Sequence, residues 1–304
     1  MLRILAEGGF ARAFASREFR IFWIGHFAHV LSVWIYRLAV AWLTWELTES
    51  TVWLGFMAVG NMLPSVFFGP LAGATADRWG HRTQLLVATT VGGIIALIVT
   101  VLVAIDRIQV ELLLVLVTVS GIARSFNVPA RGALIPSLVP RADISAATAV
   151  NGASFHGSGF LGPALFGLII ATTDITVALF TYTIGVVLTA VTLVMLKTRD
   201  APPRSRGFSG LTSELVEGFR YTARHPGIRL MMVMTAILSF FLHAYLDMLP
   251  AVTSRIFERG PEGLAQLTAA AGLGALIGGL WLAQRGRTGG LVAILLANVL
   301  AAAV

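Results

Sequence analysis

Apolar runs about as long as a bilayer is thick alternate with short polar breaks along nearly the whole chain. A helix needs about 20 apolar residues to cross the hydrocarbon core. Runs 21–45, 52–72, 85–105, 112–130, 146–170 and 177–196 meet that length and predict six spans. The longest polar segment, 197–229, follows. Within it, 211–221 has helical periodicity with its charges on one side, which predicts an amphipathic helix lying on the membrane. Two more spans are predicted at 230–252 and 267–283, and a ninth opens at Leu291. The expected organisation is a six-helix half (1–196), a polar linker (197–229) and an incomplete second half (230–304). The last residues lie inside an apolar run, so the chain reads as a fragment without spans ten to twelve.

Composition sharpens this picture. The 304 residues are 57% hydrophobic and 12% charged, whereas charged residues approach a quarter of a soluble domain. The fold class expected is therefore all-α membrane. The net charge of +7 does not point to nucleic acid, because the arginines fall between spans rather than on one basic face. Arg3, Arg12, Arg17, Arg20, Arg78, Arg82, Arg131, Arg141, the 197–229 group, Arg285 and Arg287 share one side. Only Arg107, Arg255 and Arg259 are on the other, so the amino terminus and linker are expected in the cytoplasm. Residues 1–19 have no apolar core or small-residue cleavage site, so no removable signal peptide is expected. Cysteine is absent, which removes disulfides, thiol chemistry and cysteine-ligated metal. The single lysine, Lys197, follows no glycine-rich turn, so no phosphate-cradling loop is present to use ATP by that route.

One stretch carries more than hydropathy. Between the second and third spans stand Gly69, Gly73, Asp77, Arg78, Gly80 and Arg82. Gly69 and Gly73, four apart, allow close helix approach. Asp77, expected just past the helix, can cap it or pair with a cation. This G-x-x-x-D-R-x-G-x-R pattern resembles the signature loop of the major facilitator superfamily. Phe19-Arg20-Ile21-Phe22-Trp23, Arg37 with Ala39 and Trp42, Asn127-Val128-Pro129-Ala130-Arg131 and Arg224-His225-Pro226 resemble its siderophore-exporter and macrolide-efflux branch. The resemblance implies a helical bundle of two six-helix halves around a midplane site, alternating access, and a gating role for the Asp77 loop. Arg131 and Arg141 are expected on the next cytoplasmic loop, as partners for Asp77.

Ionisable groups inside spans are costly and face a cavity or a partner. At 100° per residue Phe22, His26, His29, Val33, Arg37, Val40 and Thr44 form one stripe of the first span, expected to line a central cavity. His26 and His29 titrate near neutrality, as a proton site requires; bonding to a neighbouring helix explains them as well. In the seventh span Ser239, His243 and Asp247 share a side, and Asp247 lies at the depth of Arg37. The two are expected to pair when the outer gate is shut; capping by Asp247 before Pro250 is the other reading. Arg124 is either a cavity residue or a cation reaching the cytoplasmic face. Gly159, Gly162, Pro163 and Gly167 in the fifth span resemble the glycine-proline hinge of drug–proton exchangers, and plain packing accounts for them equally.

The expected function is proton-coupled efflux of an amphipathic small molecule. The partners are that substrate, protons and the lipid bilayer; no cofactor, metal or nucleic acid is expected, and the protein is expected to be a monomer. The location is the bacterial inner membrane. A membrane scaffold or receptor, an inactive transporter fragment, and an embedded enzyme using His26, His29 and His243 stand as alternatives.

Overall fold

The computed structural model describes residues 10–197 and 220–285, apart from the side chains of 10, 77, 235–245, 276 and 279–285. All regular structure among them is helical. A helical turn, Phe10–Ala13, precedes α1 (Arg17–Thr48), α2 (Thr51–Trp79), α3 (His81–Ala104), α4 (Val110–Leu134), α5 (Ile144–Thr172), α6 (Ile175–Met195), α7 (Pro226–Arg255) and α8 (Pro261–Arg285). The first six are long and apolar enough to cross a membrane. The ninth span, and residues 211–219 of the expected amphipathic helix, lie outside the described residues.

Every helix begins before its apolar run, and all but α3 and α6 also end beyond it, because polar residues at a membrane helix end keep their backbone hydrogen bonds while their side chains reach water. Ser16 caps α1, accepting from the Phe19 amide at 3.3 Å. The α2–α3 break is later and sharper than expected. The backbone stays helical through Asp77 and Arg78, so Asp77 belongs to the last turn of α2 rather than following it. The chain then reverses on Gly80, whose φ of 87° suits a residue without Cβ. Arg82 donates to the Val194 carbonyl at 2.8 Å and so places a cation on the C-terminal end of α6.

Helix α1 packs on α5 and α6, α2 on α4, and α3 on α4 and α6. Polar side chains tie these contacts. Gln84 of α3 donates to the carbonyls of Ala72 on α2 (2.8 Å) and Phe126 on α4 (3.0 Å). Trp23 donates to Ser154 at 2.8 Å, joining α1 to α5, and Thr189 donates to the Gly25 carbonyl at 2.9 Å, joining α6 to α1. Such bonds hold helices together where apolar contact alone gives no preference over lipid.

Two apolar cores sit at opposite ends of the bundle. One gathers Ile35, Leu43, Val99, Leu113, Phe166 and Leu179 with Leu249 of α7 and Leu264 and Ala265 of α8. The other gathers Phe19, Phe22, Ala76, Leu85, Leu134, Val150 and Leu193, all from α1–α6. A cavity with a mostly apolar lining and several charged side chains lies between them.

Candidate functional site

Three long stripes build the cavity. From α1 come His29, Val33, Trp34, Tyr36, Arg37 and Val40; from α2 come Leu54, Met57, Ala58, Asn61 and Met62. From α4 come Val117, Ser120, Arg124, Asn127, Val128 and Arg131. Ala88, Thr89 and Gly92 of α3, Phe155 of α5, Tyr182 of α6 and Asp247 of α7 complete a lining around about 280 Å³. That volume suits a small molecule, near the lower end of ordinary ligand pockets.

At one end Arg37 donates through Nη2 to Asp247 Oδ1 at 2.6 Å, tying α1 to α7. The side chains are 32% and 17% exposed, so the pair is partly shielded. The guanidinium also lies 5.8 Å from the Trp34 ring centroid. Beyond it Arg255 of α7 donates to the Glu49 carbonyl at 2.8 Å and sits 5.0 Å from the Trp45 ring centroid. Trp45, Leu54 and Ala251 close this end with a small apolar cluster.

Along the wall, Tyr182 lies 4.9 Å from Tyr36 and 5.4 Å from His29, centroid to centroid. Asn127 donates to Thr89 at 2.9 Å and fixes α4 against α3. His29 Nδ1 is buried with no hydrogen-bond partner among the described residues. His26 is placed differently from its expected position on the lining. It is buried and stacked on Phe22 at 5.3 Å, below the cavity floor. Thr44 also leaves the lining, donating to the Val40 carbonyl at 2.8 Å. His243 lies on α7, and its side chain is outside the description, as is that of Asp77.

Arg131 is a correction. It is inside α4, not on a loop, and it lines the cavity. Pro129 suggested a helix end, but α4 continues through it to Leu134. A proline is tolerated in a membrane helix when neighbours re-satisfy the freed backbone. With the helix extended, Val117, Ser120, Arg124, Asn127 and Arg131 recur every three or four residues and share one face. That spacing was the signal that could have found Arg131, Ser120 and Asn127. Each guanidinium at mid-membrane depth costs about 2.5–3.5 kcal/mol on insertion scales, a cost a watered cavity relieves.

The glycines divide by contact. A Cβ on Gly162 would meet Trp34 Cβ at 2.5 Å, and one on Gly167 would meet Ala265 at 2.9 Å. Gly159 faces the Trp34 ring, and a Cβ on Gly272 of α8 would fall on the Gly159 carbonyl. Pro163, inside α5, is buried at this seam. Gly69 and Gly73 differ from expectation, since a Cβ on either would meet nothing within 4 Å; no described helix approaches that face of α2. Arg78 is exposed.

Residues 8–304 match the transmembrane secretion effector family, MFS_3. Macrolide efflux protein A of Streptococcus pyogenes is 20% identical over 266 residues, covering 87% of this chain and 66% of that protein. The Bacillus subtilis MFS-type transporter YfiS is 28% identical over 242 residues, covering 77% and 56%. The chain thus spans less than two thirds of the length of these curated relatives. Among solved structures, the human organic anion transporter MFSD10 superposes with a TM-score of 0.63 at 18% identity, covering 91% of this chain and 75% of that one. The chain therefore belongs to the transmembrane secretion effector family of the major facilitator superfamily.

Proposed function

We propose that the chain belongs to a secondary transporter that exports an amphipathic small molecule by alternating access, driven by inward proton flow. The first six helices form one moving half, 197–229 the linker, and α7 and α8 the start of the other. The observation that carries the reading is the Arg37–Asp247 pair, which ties α1 to α7 across one end of the cavity. The positive-inside distribution of arginines supports an orientation with that end outside and the amino terminus in the cytoplasm. Asp247 supplies the coupling: a proton on its carboxylate removes the charge that holds Arg37, and α7 is released. Efflux as the direction is supported by the macrolide efflux relative.

Efflux of a panel of fluorescent amphiphiles from proteoliposomes under an imposed pH gradient tests this for wild type, Arg37→Ala, Asp247→Asn and the double variant. Each single change is expected to slow efflux by about tenfold, matching a partly shielded pair worth about 1–2 kcal/mol. The double variant is expected to be no worse than the poorer single one. Strictly additive losses sink the pairing, and efflux that persists with the gradient collapsed sinks proton coupling.

A further inference from the structure

We infer that the cavity is built for an organic dianion, with acidic groups at the two ends of a partly aromatic body. This names the substrate class of the transport reading above and rests on it. The cavity lining holds three guanidiniums, those of Arg37, Arg124 and Arg131, against one carboxylate, that of Asp247. Arg37 and Asp247 neutralise each other at 2.6 Å. Arg124 and Arg131 remain, and neither has an ion-pair or hydrogen-bonding partner among the described residues. Two unmatched cations in one membrane cavity repel each other and any cationic guest, and they are satisfied together only by water or by anions.

Their spacing sets the shape of the guest. Seven residues along a helix return to nearly the same face after two turns, so the two arginines leave one wall of the cavity about 10.5 Å apart along the helix axis. A guanidinium matches a carboxylate with two parallel N–H donors, which makes the recognition directional as well as electrostatic. The same lining holds Trp34, Tyr36, Phe155 and Tyr182, flat surfaces for an apolar or aromatic body. A neutral amphiphile would leave both guanidiniums unpaired, and a cationic one would add a third like charge.

Binding measured without any gradient separates this inference from transport. The full chain in phosphatidylcholine nanodiscs is titrated with biphenyl dicarboxylate, its carboxylates para to the ring junction, and with the matched diol, diamine and monocarboxylate. The dicarboxylate is expected to bind at least tenfold more tightly than the diol, with the monocarboxylate between them and the diamine weakest. Arg124→Gln and Arg131→Gln are each expected to cost the dicarboxylate about tenfold and leave the diol unchanged, and Arg124→Lys to recover part of the loss. Unchanged melting temperature and helix content show that the variants fold. Repeating the titration in phosphatidylglycerol nanodiscs separates a soluble anion from a lipid headgroup. Equal affinity there supports the soluble dianion, whereas loss of binding gives the guanidiniums to lipid and overturns the proposal. Diol or diamine binding as tight as the dicarboxylate overturns it too, as does a folded chain that binds no dicarboxylate. A dianion-selective cavity in a chain that moves nothing would sink the transport reading and leave this one standing.

Discussion

The two ends of α7 and α8 behave as if they belonged to different proteins. At the end that carries Asp247, Leu249 of α7 is 1% exposed and Leu264 and Ala265 of α8 are buried in a core shared with α1, α3, α4, α5 and α6. At the other end Met231 and Met232 of α7 are 60% and 58% exposed, and among the described residues the core there draws on α1–α6, their connections and the turn before them, not on α7 or α8. The glycines of α8 differ by face: Gly272 lies on the α5 backbone, while a Cβ on Gly274 or Gly278, on the other side of the helix, would meet nothing within 4 Å. Among the described residues, the same helices are thus packed into the bundle at one end and exposed at the other. A cavity between such helices is open on one side, and the side is set by which end holds the interhelical contacts.

The clamp breaks most severely at the α5–α8 crossing. Gly272→Leu inserts a branched side chain where the neighbour is the Gly159 carbonyl, a backbone atom that cannot move aside. The expected cost is about 3 kcal/mol, the upper end of ordinary overpacking, read as a lowered melting temperature of the purified chain in detergent. Gly278→Leu, with open space around it, is expected to change stability by no more than about 0.5 kcal/mol. Equal losses at the two positions erase the contrast.

Accessibility sharpens it further. The chain has no native cysteine, so single cysteines report cleanly. Leu54 and Val128 both line the cavity, but Leu54 is 2% exposed in the closed end and Val128 is 53% exposed. Val128→Cys is expected to react with a water-soluble maleimide at least tenfold faster than Leu54→Cys, measured as a mass shift over time. In sealed vesicles an impermeant maleimide also shows which membrane face the open end meets: reaction only from the outside reverses the proposed orientation.

Much of this architecture is readable from hydropathy, because a membrane helix must satisfy its own backbone and so follows its apolar run. Counting rise per residue from the helix ends also brings Arg37 and Asp247 to one level. The failures have local causes. Arg131 was lost to the loop because Pro129 ends helices in water, where nothing favours continuing them. The stripe on α1 included His26, yet the helix presents that position to Phe22 and the lower core rather than to the cavity. Gly69 and Gly73 carry small-residue spacing with no described partner. Tyr36 and Tyr182 come together from helices almost 150 residues apart, and nothing local in either segment announces the meeting.

The smallest expected effect tests whether the closed end is held by several contacts or by the ion pair alone. Arg255 crosses from α7 to the end of α1, donating to the Glu49 carbonyl and resting on the Trp45 ring. Its guanidinium is exposed, so the contact is worth about 0.5–1 kcal/mol and no more. Arg259 offers a matched control, since from the α7–α8 connection it donates to Gln266 of α8 at 3.1 Å and, among the described residues, makes no bond to α1. If the end opens and closes as a unit, removing 1 kcal/mol from its closed form raises the open population about fivefold. Arg255→Ala on the Leu54→Cys background is therefore expected to speed maleimide labelling by a few-fold, and Arg259→Ala to leave it unchanged. A rise with both variants would mean that the α7–α8 connection itself loosens. No rise with either would leave Arg37–Asp247 and the Trp45, Leu54 and Ala251 cluster as sufficient to hold that end shut.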